Sequence, residues 1–455
     1  MRQDMNDNNT QIGIMGTSVL RQLDEPHLDF LHSRAYSGGF DLRHYGVQRI
    51  WQFDLRTFGS YVEGSTEAIR RTQVSTGHLF QRPDASWVEL NPARTSLAGH
   101  GGSMKIAKTA GTFRGSFKVK WKSPGLELND IGFMQNTDNI TQSIWLGYRR
   151  TKPVGIMRNF YINAFQWNAW NFGGIREYSG GHLSLNSQFS NFMSAEIGTD
   201  VNGGQLSSTA LRGGPRLLIP DNWKHWIWFG TDSRKNFYTD IFVNMQHSGN
   251  ELNRGNYMDW DLEWNISDHI NVSVSTDRSI NRDVFQYVST ITETADPRYI
   301  LARLNYESAG LQMGLNINIT PDFSIEYRGR FFFSAGAYDD FKRITDAGNP
   351  DYEKRFELLT SRLTPDGDVY YCDEDLDGIS DYRFDNPDFV FNSFRSNLVL
   401  RWEYLPGSVL FLVWSQDNHM NSDFNHLTLP GNIRDLRNEI PYNIFLLKVS
   451  CRMGR

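Results

Sequence analysis

The chain has 455 residues, a net charge of −6, and 39% hydrophobic, 14% aromatic and 22% charged residues. Its mean hydropathy of −0.51 and the lack of any run of roughly 20 apolar residues exclude a bundle of membrane-spanning helices. The mild charge gives nucleic acid no electrostatic footprint, and two cysteines cannot build a disulfide framework or a zinc cluster.

A membrane barrel survives these tests, because its strands are apolar on one face only and average to a soluble-looking composition. The start, Met1-Arg2-Gln3-Asp4-Met5-Asn6-Asp7, has no apolar signal core. It reads either as a cytosolic start or as the start of a fragment whose exported N-terminal part lies elsewhere. One helix is predicted, over Thr66 to Ser75, with Ser65 as N-cap and Glu67 in the first turn. It would lie in a loop.

Almost everywhere else the apolar period is two, the signature of strands with one apolar face. Phe113, Phe117, Val119 and Trp121 oppose Arg114, Ser116, Lys118, Lys120 and Lys122. Met258, Trp260, Leu262, Trp264 and Ile266 oppose Asp259, Asp261, Glu263 and Asn265. Leu311, Met313, Leu315, Ile317 and Ile319 oppose Gln312, Gly314, Asn316 and Asn318. Phe323, Ile325, Tyr327, Phe331 and Phe333 oppose Ser324, Glu326, Arg328 and Arg330, and Leu398, Leu400, Trp402 and Tyr404 oppose Asn397, Arg401 and Glu403. Such segments run about 10 residues, the length of a tilted membrane strand, whereas ordinary strands run about 5–6. Aromatics near the predicted strand ends match interfacial girdles: Trp51, Tyr61, Trp145, Tyr148, Trp167, Trp170, Trp223, Trp226, Trp228, Tyr257, Trp402 and Tyr404.

Links give an independent count. Short ones are expected near Gly46–Arg49, Thr109–Thr112, Thr151–Gly155, Ser190–Asn191, Ser233–Lys235, Ser267–His269, Thr294–Pro297, Thr320–Asp322 and Leu405–Gly407. Other links fall between them, near 21–35, 62–95, 124–140, 171–181, 202–221, 248–256, 277–282, 307–309, 336–387 and 417–440. Short periplasmic turns alternating with outer loops predict an all-β, transmembrane, antiparallel up-and-down barrel of about 20 strands (range 18–22), with both termini in the periplasm. Residues 1–455 form a single barrel domain in this reading, with 336–387 as a long outer loop. A propeller or stacked sandwiches would repeat every 40–50 residues or so, and no such repeat is visible.

Several words carry a resemblance. They are Ser123-Pro124-Gly125-Leu126-Glu127-Leu128-Asn129-Asp130, Phe80-Gln81-Arg82-Pro83-Asp84, Leu211-Arg212-Gly213-Gly214-Pro215, Asp232-Ser233-Arg234-Lys235, Phe394-Arg395-Ser396-Asn397-Leu398-Val399-Leu400-Arg401-Trp402-Glu403-Tyr404, and Leu410-Phe411-Leu412-Val413-Trp414-Ser415-Gln416. Together they resemble the C-terminal barrel of a Gram-negative bacterial family of unknown function. Its fuller members carry a signal peptide and a family-nine-type carbohydrate-binding module ahead of the barrel, and neither is present here. The resemblance covers essentially the whole chain and implies an outer-membrane location, with no catalytic residues to carry over. The alternating Phe445, Leu447 and Val449 run into Cys451-Arg452-Met453-Gly454-Arg455, where barrel chains of this kind end on an aromatic.

Candidate chemistry is sparse. Asp373, Asp375, Asp377 and Asp381, with Gly378 at the turn and the carbonyl of Ile379, have the spacing of the first part of a calcium loop, which needs hard oxygens and a sharp turn. The position of the closing Glu is Phe384, so a loose extracellular Ca2+ loop is expected, against the alternative of a solvated acidic loop. His419, Asn421, Ser422, Asp423 and His426 share one outer loop, which is no rigid frame for a catalytic triad. No catalytic residues are assigned. Cys372 and Cys451 fall on opposite sides of the membrane and should not pair.

The polar faces are expected to meet inside. Arg114, Lys118, Lys120 and Lys122 make a basic ladder, Asp259, Asp261 and Glu263 an acidic one, and Glu326, Arg328, Arg330, Arg401 and Glu403 add mixed charge. Charge on the lipid side would cost about 2–4 kcal/mol per Lys or Arg at the midplane. The ladders suit either a porin-like path for hydrated solutes or internal salt bridges in a closed anchor. The expected function is a transport or uptake pore for polar solutes such as saccharides, the alternative a membrane-anchored carbohydrate-processing hydrolase or surface-binding protein. Expected partners are the lipid bilayer with lipopolysaccharide, the outer-membrane assembly machinery and a saccharide or other polar solute.

Overall fold

The computed structural model describes residues 2–294, 296–422, 434, 436 and 438–453. The short β1 (Arg2–Met5) pairs antiparallel with β2 (Thr10–Leu20), which pairs with β3 (His32–Gly46), and β4 (Trp51–Gly64) leads to the helix α1 (Thr66–Val74). Three hairpins follow: β5 (Ser96–Lys108) with β6 (Phe113–Lys122), β7 (Asn139–Arg150) with β8 (Met157–Trp170), and β9 (Arg176–Phe189) with β10 (Ser194–Gly203). Among the described residues the small β11 (Gln205–Ser207) and β12 (Leu217–Ile219) pair only with each other. The wall resumes with β13 (Asn222–Gly230) and β14 (Phe237–His247), β15 (Arg254–Ser267) and β16 (Ile270–Ile291), and β17 (Arg298–Thr320) and β18 (Phe323–Ile344). Above it, β19 (Phe356–Leu358) fringes β18, and β20 (Leu363–Asp366), β21 (Val369–Cys372) and β22 (Tyr382–Asp385) form a separate sheet. The wall ends with β23 (Phe389–Leu405), β24 (Ser408–Ser422) and β25 (Tyr442–Ser450).

These strands make one 20-stranded antiparallel sheet in which each wall strand pairs with its successor, β10 with β13 and β18 with β23. Next-neighbour pairing throughout is the up-and-down barrel topology. Among the described residues the ladder runs from β1 to β25 with no pairing between its two ends.

The faces follow the sequence alternation. In β13, Trp223, His225, Ile227 and Phe229 are exposed, while Asn222, Lys224, Trp226 and Trp228 between them are half-buried. Register carries one apolar face across the sheet: Leu146, Ile197 and Ile227 remain 60%, 55% and 56% exposed. Among the described residues no helix is long and apolar enough to cross a membrane. A sheet whose large apolar side chains point outward, with its backbone groups paired strand to strand, is the wall of a membrane barrel. Such barrels stand in bacterial outer membranes, and so does this chain. Its short-turn end is the periplasmic one.

The strand count stays within the expected 18–22, but the expected links fail at one place. The stretches 277–282 and 307–309, expected as outer links, lie inside β16 and β17, which run unbroken for 22 and 23 residues, and the link at Thr294–Pro297 is therefore on the outer side. The cause is length: at about 3.3 Å per residue these strands reach roughly 70 Å, far beyond an apolar band about 25 Å tall even when tilted. Above the lipid the outer face turns polar, as in the Arg278–Glu307 pair at 2.5 Å, and the pattern imitates a loop while pairing continues. Of the twenty strands, β1 and β19 are fringe pieces and the other eighteen form the wall.

Apolar burial concentrates at the outer end. Ala35, Val62 and Leu97, at the outer ends of β3, β4 and β5, are buried under Ile69 of α1 and Phe80. Helix α1 starts where the sequence predicts it, with the Ser65 hydroxyl oxygen accepting from Ala68 N at 3.0 Å. Leu211 and Leu217 pack on Val284, Phe285, Leu301, Ile344 and Phe356. Phe341, Ile291 and Ile300 pack under Leu359, just past β19, and under Cys372, Tyr382 and Phe384 of the separate sheet. The long loops are thus a folded cap. Cys372 is buried in it and Cys451 is exposed at the other end, both as free thiols.

Candidate functional site: the inner wall and its cap

Register places the charged ladders on the inner face. Lys118 stands opposite Lys105, which stands opposite Asp54, and Lys120 stands opposite Ser103, itself opposite Arg56. Arg114 and Lys122 have the same parity, Arg114 at the periplasmic end and Lys122 at the outer end, where its Nζ donates to Asn136 Oδ1. Asp259 stands opposite Phe242 and Asp277, Asp261 opposite Asp240 and Ser275, and Glu263 opposite Tyr238 and Ser273. Glu326, Arg328 and Arg330 are exposed on the inner face of β18, and Arg330 faces Arg395 on β23. Arg401 and Glu403 pair with each other at 2.8 Å near the periplasmic end.

Like charges therefore face each other directly at Lys105–Lys118, Asp240–Asp261 and Asp259–Asp277, an arrangement that is destabilising unless water solvates it. Among the described residues, neither the Lys118, Lys120 and Lys122 side chains nor those of Asp259, Asp261 and Glu263 enter an ion pair. Glu263 instead accepts from the Tyr238 hydroxyl at 2.6 Å and from Asn271 Nδ2 at 3.1 Å. The two ladders are seven pairings apart along the wall, through β7, β8, β9, β10, β13 and β14.

Some aromatics expected in the interfacial girdles are on the inner face instead. Trp145, Trp167, Trp226, Trp228 and Tyr257 share parity with the inner charged residues, through the pairs Trp145–Phe165, Ser143–Trp167, Trp228–Phe242 and Phe242–Asp259 and the position of Tyr257 two residues before Asp259. Nearness to a strand end says nothing about which face a side chain takes; only parity does.

The cap closes over the β3–β10 side of this wall. His32 Nδ1 lies 2.7 Å from Asp130, which also accepts from Arg21 Nη1 at 2.5 Å, and His32 Nε2 lies 2.8 Å from the Thr72 hydroxyl, so one histidine joins three loops. Gln73, buried on α1, donates to Asn91 O and accepts from Asn91 N. Arg82 and Asp138 form a buried pair at 2.8 Å, and Asp138 also accepts from Trp87 Nε1 and Phe172 N. Beside this pair lies a polar cavity of about 210 Å³ lined by Thr76, His78, Arg82, Asn136, Glu177 and Ser207. Glu177 is nine-tenths buried there, and its Oε1 has no partner among the described residues. The sequence reading missed this cavity, since its residues come from four separate links and share no motif.

His78 makes the cap acid-sensitive. Burial pushes its imidazole down to about 4 from an ordinary 6.5, while its Nε2 lies 3.0 Å from Leu126 O. A folded-state value below the unfolded one contributes stability that is present above about pH 6.5 and is lost as pH falls toward 4. The loss approaches about 3 kcal/mol. Burial pushes the neighbouring Glu127 carboxyl up, which acts in the opposite sense. Protease nicking of residues 65–95 is expected to rise as pH falls through that window, and less steeply in a His78→Asn variant; identical profiles would remove His78 as the cause.

In the outer loop, ligand oxygens of Asp373, Asp375 and Asp377 lie within 4.8 Å of one another. Asp373 also accepts from the amides of Asp377 and Gly378. Asp381 turns to the amide of Glu374, and Ile379 N donates to Asp377, so the loop is wrapped around its carboxylates. Of the loop residues screened for catalysis, Asp423 and His426 lie outside the described residues, and His419, Asn421 and Ser422 are on β24.

No curated protein matches the chain in sequence. Among solved structures it is similar to the ferric enterobactin receptor PfeA of Pseudomonas aeruginosa, at 8% identity and a TM-score of 0.41 over 98% of this chain and 74% of that one. It is similar to the siderophore receptor PirA of Acinetobacter baumannii at 10% identity and a TM-score of 0.40, with the same coverage. The NanC porin matches at 9% identity and a TM-score of 0.17, over 62% of this chain and 99% of that one. Residues 71–451 match the model of the family described as a domain of unknown function (DUF5916), and the chain belongs to that family.

Proposed function

We propose that this barrel is a transport pore for polar solutes, saccharides among them, with the folded outer loops acting as its selective mouth. The observation that carries the reading is the pair of unneutralised ladders on the inner wall. Directly opposed like charges are tolerable where water fills the space between them, so Lys105–Lys118 and Asp259–Asp277 speak for a wet lumen. Salt bridges inside a closed anchor would bring opposite charges together. Ion conductance of the purified chain in planar bilayers tests this; a wild-type barrel that conducts nothing would favour the anchor. The partners proposed with it are the bilayer, lipopolysaccharide around the outer belt and the outer-membrane assembly machinery.

The second reading, a surface-binding protein on a barrel anchor, is favoured by the cap cavity, where Glu177 keeps an unpartnered carboxylate oxygen. A hydrolase on the same anchor has no residue constellation to support it among the described residues.

The proposal includes calcium at the outer loop, with Asp373, Asp375 and Asp377 as carboxylate ligands and Asp381 and the Ile379 carbonyl as the next candidates. Calcium titration of the purified barrel is expected to show one stoichiometric site that weakens at least about tenfold in the Asp375→Ala, Asp377→Ala variant. Equal binding by the variant would reduce the loop to an acidic surface.

A further inference from the structure

The stretch of inner wall between the two ladders carries a second kind of chemistry. Trp145 on β7 stands opposite Phe165 on β8, and Phe165 stands opposite His182 on β9. Trp226 on β13 stands opposite Gly198 on β10, which stands opposite Ser184, the next inner residue after His182. Successive ring centroids are 6.2, 5.2 and 5.2 Å apart, so the four rings form one continuous band at mid-height.

The two indoles lie along the wall, while Phe165 stands edge to face against His182, their planes 88° apart. A Cβ built on Gly198 would fall 2.1 Å from the Trp226 indole, and one on Gly147 would fall 2.6 Å from the Trp145 indole. Bare glycine backbone lets each indole settle flat across the neighbouring position and turn a face to the lumen. Phe165 is 40% exposed on that side. Polar groups hold three of the four rings: Asn163 Oδ1 accepts from Trp145 Nε1 at 3.2 Å, Asp200 holds His182 Nδ1 at 2.7 Å, and Glu196 accepts from Trp226 Nε1 at 3.1 Å. Each of these oxygens, accepting one hydrogen bond, keeps lone-pair capacity for another donor.

We propose that this band is a saccharide-binding track, on which pyranose rings stack their C–H faces over Phe165 and Trp226 while their hydroxyls bond to Asn163, Asp200 and Glu196. The proposal rests on the pore reading and adds to it the site and its selectivity for ring-shaped sugars. Flat aromatic faces select for ring-shaped solutes, the adjacent oxygens for hydroxyl donors. Neither the lysine nor the carboxylate ladder makes that selection.

The probes are maltotriose and the open-chain polyol mannitol, applied to the purified chain in detergent and in bilayers. Maltotriose is expected to quench tryptophan fluorescence saturably and to interrupt the ion current, and mannitol to do neither. A Phe165→Ala, Trp226→Ala variant should bind maltotriose about tenfold more weakly. Trp226→Phe, which keeps a ring face, should retain most of the affinity. Should the double variant fail to fold, Gly198→Ala, which displaces the indole, is expected to weaken binding in the same direction. Equal responses to both probes, or unchanged affinity in the alanine and Gly198 variants, would overturn the proposal. A barrel that binds maltotriose but never conducts removes the pore and leaves the site; one that conducts but ignores maltotriose removes the site and leaves the pore.

Discussion

Replacing Arg82 by alanine should detach the cap from the barrel. The guanidinium is buried against Asp138, which remains buried when its partner goes. An uncompensated buried charge of this kind costs about 3–5 kcal/mol, and the donors left on Asp138, Trp87 Nε1 and Phe172 N, place the expectation near the lower figure. The pair also anchors strained backbone: Leu79, whose carbonyl accepts from Arg82 Nε at 3.1 Å, and Asp138 have φ of +51° and +53°. A left-handed residue other than glycine costs about 1–2 kcal/mol, and losing the ion pair removes one of the contacts that offset it. Hydrogen exchange should accelerate across 65–95 and 123–138 while the β13–β18 wall keeps its protection. Unchanged exchange in the cap would mean that the apolar cluster around Ile69 and Phe80 suffices to hold it.

Exchanging Lys118, Lys120 and Lys122 for glutamate should turn the ion preference of the lumen toward cations. Each exchange reverses one fixed charge on the inner wall, in a cleft where low-dielectric walls focus the field. The cation-to-anion permeability ratio is expected to rise on the order of tenfold, and less at high salt, where screening shortens the field. Insertion should not suffer, since no outward residue changes. It should improve slightly at one point, because Lys118 faces Lys105 and a glutamate there would face an opposite charge. Reversal potentials under a salt gradient read the change directly. An unaltered ratio would take the lysines off the conduction path, whatever the barrel conducts.

The alternation at 113–122 and 258–266 was legible because each segment sits on one lipid-facing stripe from end to end. Legibility stopped where the surroundings changed. Above the bilayer, β16 and β17 face water on one side and cap on the other, the apolar stripe fades around Arg278 and Glu307, and the register shifts at Asp283/Gln286 and Tyr287/Ser289. Pattern alone there resembles a turn. Helix α1 was legible because its N-cap chemistry is local. The cap cavity was not, since Arg82, Asp138, Glu177 and Ser207 meet only through tertiary folding. The aromatic band illustrates a third case. The sequence points to only two of its residues, Trp145 and Trp226, and reads them as membrane-edge aromatics because they lie near predicted strand ends; only counting parity from a neighbouring charge moves them inside.

The cap clusters also impose an order of events during biogenesis. Leu211 and Leu217 are buried against Phe285, Leu301 and Phe356, so one small core draws on segments separated by well over a hundred residues of chain. None of those contacts can exist until β16, β17 and β18 are standing and the segments above them have crossed to the outside. The last thing to form is therefore the lid, and the immediate precursor is a barrel with an open mouth. On the pore reading proposed above, a cell that lets such precursors accumulate would carry a leak in its permeability barrier before it has a finished protein, and cap mutations are expected to announce themselves as sensitivity to large toxic solutes.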